Sequence, residues 1–183
     1  MATTETLLTA DEFAQLEGLD GPAELVRGIV QMMNLPNPRH GQVCANATGM
    51  LWAYFRQNEL GRVVSNDAAI VTTRSPDSVR GADVAVYLYT TVPPGPLPQR
   101  YHSAVPDVVF EVRSPSDRAS ELLAKVAEYL AAGVKAVCLL EPDDERLTIY
   151  TERGPARQFG AQDRFELPDL LGNFSAPVRE FFA

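Results

Sequence analysis

Residues 107–116 of the chain read DVVFEVRSPS, a short apolar run that contains one acid and ends at a Ser-Pro pair. A strand covered on both faces of a sheet is normally apolar throughout. Glu111 interrupts this run, and a buried carboxylate costs several kcal/mol unless a cation or hydrogen bonds compensate it. The stretch therefore predicts a buried strand whose acid faces a positive charge. We interpret that charge as a divalent metal ion, held jointly with Asp83 on a preceding strand.

The segments on either side of this strand predict an α/β fold. Between residues 43 and 58 the apolar positions follow one face of a helix. A second helix is expected from Ser116 or Asp117 to Ala132, followed by a strand over residues 134–140. Such a strand–helix–strand unit predicts a right-handed crossover between parallel strands. The order of elements predicts one mixed central sheet flanked by helices, in a single domain that spans the whole chain.

Local patterns in the first third of the chain predict where elements begin and end. Thr9-Ala10-Asp11-Glu12 has the form of a capping box, which predicts a helix that ends near Gly18. Residues 24–32 predict two strands about a tight turn, or one bulged strand. Two prolines predict a loop over residues 36–41.

Further along, polar residues predict a turn over residues 74–81, so that Asp83 stands near the start of a strand over residues 82–87. Residues 90–102 are rich in proline and predict an exposed connection. We expect the single tryptophan, Trp52, to lie in the core.

Composition restricts the function classes. The chain has 183 residues, of which 45% are hydrophobic and 22% are charged, as in ordinary globular domains. No apolar run approaches the roughly 18 residues that a membrane span needs, and residues 1–10 lack the pattern of a signal peptide. We therefore predict a cytoplasmic protein without a membrane partner. The net charge of −8 disfavours tight, sequence-independent binding of nucleic acid.

The cysteines and histidines carry no metal-binding spacing. Cys44 and Cys138 lie in apolar segments without a CxxC pair, which predicts two reduced core residues. His40 falls in the predicted loop, where solvent exposure is the default and a place beside the site is the alternative. His102 is expected to be an exposed loop residue.

Two acids on neighbouring strands would meet at one edge of the sheet. Without a cation, Asp83 and Glu111 would repel each other and their pKa values would rise. Mg²⁺ resolves this because it takes carboxylate oxygens and keeps several waters. Arg113 follows Glu111 by two positions and is expected on the same face of the strand. Lys125 lies at the border of the apolar stripe of the second helix, from which its ammonium can reach the sheet edge.

The pattern Asp83 … Glu111-x-Arg113 resembles the catalytic core of the PD-(D/E)XK nuclease superfamily. More closely, the chain resembles the Uma family of proposed restriction endonucleases over residues 8–150. The matching pieces are, in order, residues 24–28 (ELVRG), 38–41 (PRHG), 82–86 (ADVAV), 106–116 (PDVVFEVRSPS), Lys125 with Tyr129, and Gly133-Val134.

This resemblance implies a restriction-endonuclease-like fold that cleaves DNA with Mg²⁺ or Mn²⁺ and forms a homodimer. By resemblance, Asp83 and Glu111 are the metal ligands and Glu24 is an accessory acid. Arg113 stands where the superfamily has its motif lysine, and Lys125 is a lysine that has migrated to serve instead.

Other interpretations stay open for the same residues. Glu111 can be a structural acid in a salt bridge, Glu24 a solvated acid at a strand start, and Lys125 an ordinary lysine at a helix flank. Arg113 can be an ion-pair partner of Glu111 without a catalytic role, and Asp83 can cap a turn before its strand. The chain can accordingly be a catalytically inactive module of the same fold that binds a protein or nucleic acid, or a hydrolase of another phosphoester.

Overall fold

A computed structural model describes residues 7–97 and 104–183 of the chain. In the described part, eight strands form a mixed sheet in the order β2-β1-β4-β5-β6-β7-β8, with β3 paired to β4 off this path. These strands are β1 (Ala23–Val26), β2 (Ile29–Met32), β3 (Gly61–Thr73), β4 (Ser78–Leu88), β5 (Val108–Val112), β6 (Ala136–Glu141), β7 (Arg146–Thr151) and β8 (Arg157–Phe159). Two short strands, β9 (Arg164–Glu166) and β10 (Ser175–Pro177), pair separately.

Helices cover this sheet on both faces. The long helices are α2 (Pro38–Asn58) and α3 (Ala119–Ala131), and the short ones are α1 (Ala10–Phe13), α4 (Pro168–Leu171) and α5 (Arg179–Phe182). The architecture confirms the predicted α/β fold, a mixed central sheet flanked by helices.

Strand β5 lies at the centre of the sheet and divides its side chains between two cores. Phe110 and its neighbours on the same face pack with α2 and with the C-terminal elements. Val109 points to the other face and packs with Val126 and Tyr129 of α3. Strand β5 pairs in parallel with β6 and antiparallel with β4. The predicted crossover through α3 therefore joins parallel strands, as expected.

The loop predicted over residues 36–41 is wrong in its second half, because α2 begins at Pro38. Asn37 is the N-cap and its side chain accepts a hydrogen bond from the His40 amide. Proline is favoured at the first helical position because its missing N–H would have no partner there. The two prolines thus mark a helix start rather than an extended loop, and His40 stands in the first turn of the helix.

The turn predicted over residues 74–81 is also wrong in part. Strand β4 begins at Ser78 and pairs with β3 across a register shift between Ser65 and Ala68. Asp83 consequently lies in the middle of a long strand and not near its start. Residues 24–32 form two strands, and Arg27 and Gly28, both with positive φ, make the turn between them.

The ends of two further helices, α1 and α3, differ from prediction. The capping box at Thr9 is present, but α1 ends at Phe13 rather than near Gly18. Helix α3 begins at Ala119, because the Asp117 side chain accepts a hydrogen bond from the Ser114 amide and closes a turn instead of capping the helix.

Trp52 is not a core residue, since half of it is exposed on α2. His102 lies outside the described residues. Within the part of the chain that the structure describes, no helix is long and apolar enough to cross a membrane.

Candidate active site

Glu111 is buried and bonded to two side chains of α3. Its Oε2 accepts a hydrogen bond from Lys125 Nζ at 2.9 Å, and its Oε1 accepts one from Tyr129 Oη at 2.9 Å. Burial raises the pKa of Glu111 to about 7, although Lys125 opposes that rise, and the Asp83 carboxylate adds to it. Within the protein, the cation that faces this acid is Lys125, the kind of partner that the alternative of a salt-bridged acid requires, and the predicted metal ion stays a prediction.

Glu24 of β1 joins the same lysine from the other side. Its Oε1 lies 3.1 Å from Lys125 Nζ, and its Oε2 accepts a hydrogen bond from Arg80 at 2.9 Å. Burial disfavours the charged form of Glu24, but Lys125, Arg80 and the Gly81 amide outweigh it and lower the pKa. Only 5% of Glu24 is exposed, so the alternative of a solvated strand-start acid is wrong.

Gly81 holds this arrangement together through its backbone. Its N–H donates to Glu24 Oε1 at 2.9 Å, and its carbonyl oxygen accepts from Lys125 Nζ at 2.9 Å. A Cβ at this position would lie 3.0 Å from the Cβ of Asp67, which approaches from the bulge in β3. Glycine therefore permits the close contact between β3 and β4 beside the acids.

Asp83 stands beside Glu111 on the neighbouring strand. The antiparallel register pairs Val84 with Phe110, and one further residue along both strands sets Asp83 opposite Glu111. Asp83 Oδ2 accepts a hydrogen bond from the Val112 amide at 2.7 Å. The two acids thus lie on neighbouring strands, and the Asp83 charge contributes to the rise in the Glu111 pKa.

His40 and Cys44 of α2 complete the other side of Asp83. His40 Nε2 lies 3.4 Å from Asp83 Oδ2, and Cys44 Sγ lies 3.5 Å from His40 Nδ1. The hydrogen bond to Asp83 raises the pKa of His40 against the opposing effect of burial. Burial, followed by the Asp83 carboxylate, raises the pKa of the Cys44 thiol. Of the two expectations for His40, an exposed loop residue or a residue beside the site, the structure supports the second.

Cys44 was predicted to be an ordinary core residue, and it is only partly buried. Cys44 is four residues from His40, so both side chains lie on one face of the helix. This spacing was not recognised from the sequence because His40 was assigned to a loop. Cys138 is buried in the core as predicted.

Two further charged residues near the acids were not identified from the sequence. Arg80 bonds both Glu24 and Glu128 of α3. The Asp67 residue as a whole is exposed, yet partial desolvation of its carboxyl group, followed by the charge of Asp83, raises its pKa. No local pattern marks either residue, because both approach the site only through the pairing of β3 with β4.

Arg113 forms an ion pair with Glu141 at the end of β6. Its Nη1 lies 3.3 Å from Glu141 Oε1, and Glu141 also accepts hydrogen bonds from Arg146. Strand β5 ends at Val112, but the Arg113 amide still donates to the Leu140 carbonyl at 2.8 Å, which continues the pairing with β6. Arg113 thus forms an ion pair one step beyond Glu111 along the strand direction, and its expected position on the Glu111 face stays a prediction.

Comparisons with known proteins identify the family of the chain. The family model Uma2, described as "Putative restriction endonuclease", matches residues 10–179. The chain belongs to the Uma2 family. The resemblance inferred from the sequence is thereby confirmed.

The fold of this Uma2-family chain is similar to a crystal structure described as a "putative nuclease belonging to DUF820" from Anabaena variabilis ATCC 29413. The TM-score is 0.83 at 17% sequence identity, over 96% of this chain and 97% of that chain. At this identity the likeness establishes the fold alone. A search of curated proteins found no match.

Acidic side chains outnumber basic ones around Lys125 in this Uma2-family site. Glu24, Asp83 and Glu111 surround Lys125, and the Asp83 charge adds to the rise in the Glu111 pKa. Hard carboxylate oxygens of this kind suit Mg²⁺ and Mn²⁺, and a divalent cation would relieve the repulsion between Asp83 and Glu111. The chemistry of the donor set therefore fits the metal that the sequence predicted.

Proposed function

We propose that the protein is a Mg²⁺- or Mn²⁺-dependent endonuclease that hydrolyses phosphodiester bonds in DNA. The observation that carries this proposal is the meeting of two buried carboxylates, Asp83 and Glu111, with the buried ammonium of Lys125. Membership of a family described as restriction endonucleases supports it.

Asp83 and Glu111 would hold the ion. When bound, such an ion polarises a phosphoryl oxygen and makes a coordinated water more acidic. Lys125 is the residue proposed to orient the attacking water and to balance negative charge in the transition state. Glu24 acts through Lys125, whose ammonium it fixes from the side away from Glu111.

The rigidity of these groups supports their proposed roles. The Val112 amide fixes Asp83, and Tyr129 fixes Glu111. Side chains held in this way do not have to be ordered when substrate arrives, so less entropy is lost during the reaction. Because Arg113 is paired with Glu141, Lys125 rather than Arg113 is proposed as the motif lysine.

DNA as the substrate is supported by a surface groove between α2 and β3. Trp52 is half exposed with the Arg56 guanidinium 5.2 Å from its ring centre, and Arg62 lies 5.3 Å from the ring centre of Tyr89. Exposed aromatic rings beside arginines bind the bases and backbone of nucleic acids. We call these four residues the aromatic groove. Glu59 also lines the groove, so the two arginines leave it with a small excess of positive charge on an otherwise acidic protein.

A homodimer in the cytoplasm is part of the same proposal, and two copies together would supply one site for each DNA strand. The edge strand β2 and the residues after it expose the apolar side chains of Ile29, Met32, Met33 and Leu35. An unpaired strand edge of this kind is suited to pairing with a second copy. Light scattering of the purified protein would measure the dimer directly.

The decisive experiment is cleavage of duplex DNA in Mg²⁺ or Mn²⁺ by the wild type, Asp83→Asn and Glu111→Gln. We expect both variants to lose cleavage by at least about a hundredfold, the cost of removing one preorganised charge-stabilising group. Asp107→Asn is the matched control, since Asp107 is a buried acid at the opposite end of β5. Full cleavage by Asp83→Asn and Glu111→Gln would contradict the proposal.

A catalytically inactive module is the second candidate, favoured by the engagement of Arg113 with Glu141. Calorimetric titration with Mn²⁺ separates the two. Binding that Glu111→Gln abolishes supports the nuclease, whereas no heat of binding together with no cleavage supports the inactive module.

A further inference from the structure

A compact set of three different metal-binding groups lies on the α2 side of Asp83. One ligand atom each from His40, Cys44 and Asp83 lies within 4.8 Å of the others. All three residues are partly buried or nearly buried, and the side chains of His40 and Asp83 are only 12% and 11% exposed. The set thus combines imidazole nitrogen, thiol sulfur and carboxylate oxygen at one point of the surface.

We propose that His40, Cys44 and Asp83 form a second metal position, for a divalent transition metal such as Zn²⁺, beside the one assigned to Mg²⁺. Tetrahedral Zn²⁺ with these ligands has bonds of about 2.0–2.3 Å, which set the ligand atoms roughly 3.5 Å apart. The 3.4 Å separation joins Asp83 Oδ2 to His40 Nε2, and the 3.5 Å separation joins Cys44 Sγ to the other ring nitrogen, Nδ1. With one nitrogen taken from His40, the three ligand atoms lie within 4.8 Å of one another. Metal binding therefore requires the side chains to turn so that one ring nitrogen, the sulfur and the oxygen converge on the ion.

The donor set decides the class of metal. Thiolate and imidazole select Zn²⁺ and related transition ions, whereas Mg²⁺ prefers oxygen ligands only. His40 and Cys44 are four residues apart on α2, so the helix backbone fixes their relative position. Three protein ligands leave the fourth tetrahedral position to water, as in catalytic rather than structural zinc sites.

The surroundings of these residues favour a bound cation. Asp67 contributes a further negative charge beside Asp83 and His40. Loss of the thiol proton on binding is expected, because a coordinating thiol is deprotonated by the metal. In the metal-free protein the three groups instead contact one another through His40.

The second position is independent of the proposed function except for the shared Asp83. Glu111 is bonded to Lys125 and Tyr129 on the α3 side and takes no part in the second position. Transition-metal binding can therefore be present in a protein that does not cleave DNA, and cleavage with Mg²⁺ can be present without it.

Titration of the full chain with Co²⁺ tests the inference, because a cysteine ligand gives cobalt a thiolate charge-transfer band in the near ultraviolet. We expect this band in the wild type, with visible d–d bands typical of tetrahedral cobalt, and competition by Zn²⁺. Cys44→Ser should lose the charge-transfer band, and His40→Ala should weaken Co²⁺ binding by at least about tenfold.

Two variants serve as controls. Cys138→Ala removes the buried core cysteine and should keep the band. Glu111→Gln should also keep the band while it loses DNA cleavage, which separates this inference from the proposed function. Absence of the band in the wild type, or its persistence in Cys44→Ser, would overturn the inference. Circular dichroism of each variant confirms that the fold is retained.

Discussion

Lys125 and Glu111 form an ion pair 2.9 Å long between the helix α3 and the central strand β5. Both side chains are nearly inaccessible to water, and Glu24 lies 3.1 Å from the same ammonium. A lysine between two carboxylates is held strongly in its charged form, and its pKa is raised although burial alone would lower it. Lys125 is therefore a fixed positive charge and not a base at neutral pH.

Replacement of Lys125 by Met removes this fixed charge and is expected to abolish DNA cleavage, with a loss of at least about a hundredfold in kcat. It also leaves two buried acids without their partner, which should destabilise the protein by roughly 3–5 kcal/mol. Cleavage assays at a temperature where the variant is folded, with urea unfolding alongside, measure both effects.

Arg113→Met is the control for that experiment. Arg113 is bonded to Glu141, which keeps its bonds to Arg146 in the variant. Its kcat should change by less than about threefold. A loss equal to that of Lys125→Met would mean that Arg113 and not Lys125 serves as the motif lysine.

The stability of the metal-free protein should fall as the pH rises from about 5 to 8. Burial, with a smaller contribution from Asp83, raises the pKa of Glu111 from its ordinary value of 4.5 to about 7, against the opposing effects of Lys125 and Tyr129. Between these two pH values the folded state holds a proton on Glu111 that the unfolded chain has released. The stabilising contribution of this proton is complete below pH 4.5 and is lost as the pH rises through 7. We expect a decline of roughly 3 kcal/mol, measured by urea unfolding in a chelating buffer.

Glu111→Gln should remove most of this pH dependence, because an amide does not titrate. A smaller decline should remain, since the hydrogen bond to Asp83 raises the pKa of His40 and acts in the same direction. Glu24 should act in the opposite direction, because its pKa is lowered in the folded state. Its ionised form stabilises the fold at pH values above its unfolded pKa, and this stabilisation is lost only in acid. If the unfolding free energy of the wild type and of Glu111→Gln changed equally with pH, the pH dependence could not be attributed to Glu111.

Asp107 provides a test of stability away from the site. Its side chain is fully buried and accepts hydrogen bonds from the Leu88 amide, Thr91 Oγ1 and Lys135 Nζ at 2.8, 2.7 and 2.6 Å. Asp107→Ala leaves these donors unpaired and should cost roughly 3 kcal/mol of unfolding free energy. Lys135→Met, which removes one half-exposed partner, should cost less than about 1 kcal/mol, and urea unfolding compares the two.

The central strand and its acid could be predicted because the signal is local. An acid within a short apolar run is visible in residues 107–112 alone, and the apolar pattern of α3 places Lys125 at the border of its buried stripe. Asp67 and Arg80 could not be predicted in the same way. They reach the acids through a register shift between β3 and β4, which depends on tertiary pairing.

The start of α2 was missed because proline has two opposite effects. It breaks a helix interior but favours the first helical turn, where no amide partner is lost. Pro38 stands at that first turn behind the capping residue Asn37. Had the helix been extended to Pro38, the spacing of His40 and Cys44 would have placed them on one face.

Trp52 was wrongly assigned to the core because helical periodicity identifies the apolar face of a helix but not how much of that face the sheet covers. The buried side of α2 consists of Val43, Ala47, Leu51 and Phe55, each four residues from the next. Trp52 follows Leu51 and therefore lies at the flank of this stripe, where the sheet no longer covers it.

The exposure of Trp52 leads to the last prediction, which concerns the aromatic groove. If DNA follows this groove, Trp52→Ala should raise KM for DNA while kcat stays the same, because Trp52 lies 12 residues along α2 from His40, roughly 18 Å along the helix axis. Loss of one base–aromatic stacking contact is worth about 1–3 kcal/mol, so the increase in KM should be at least about fivefold. Leu123→Ala is the matched control, since Leu123 is similarly exposed on α3, with 48% against 50% for Trp52. An unchanged KM in Trp52→Ala, or an equal increase in Leu123→Ala, would place the DNA elsewhere on the protein.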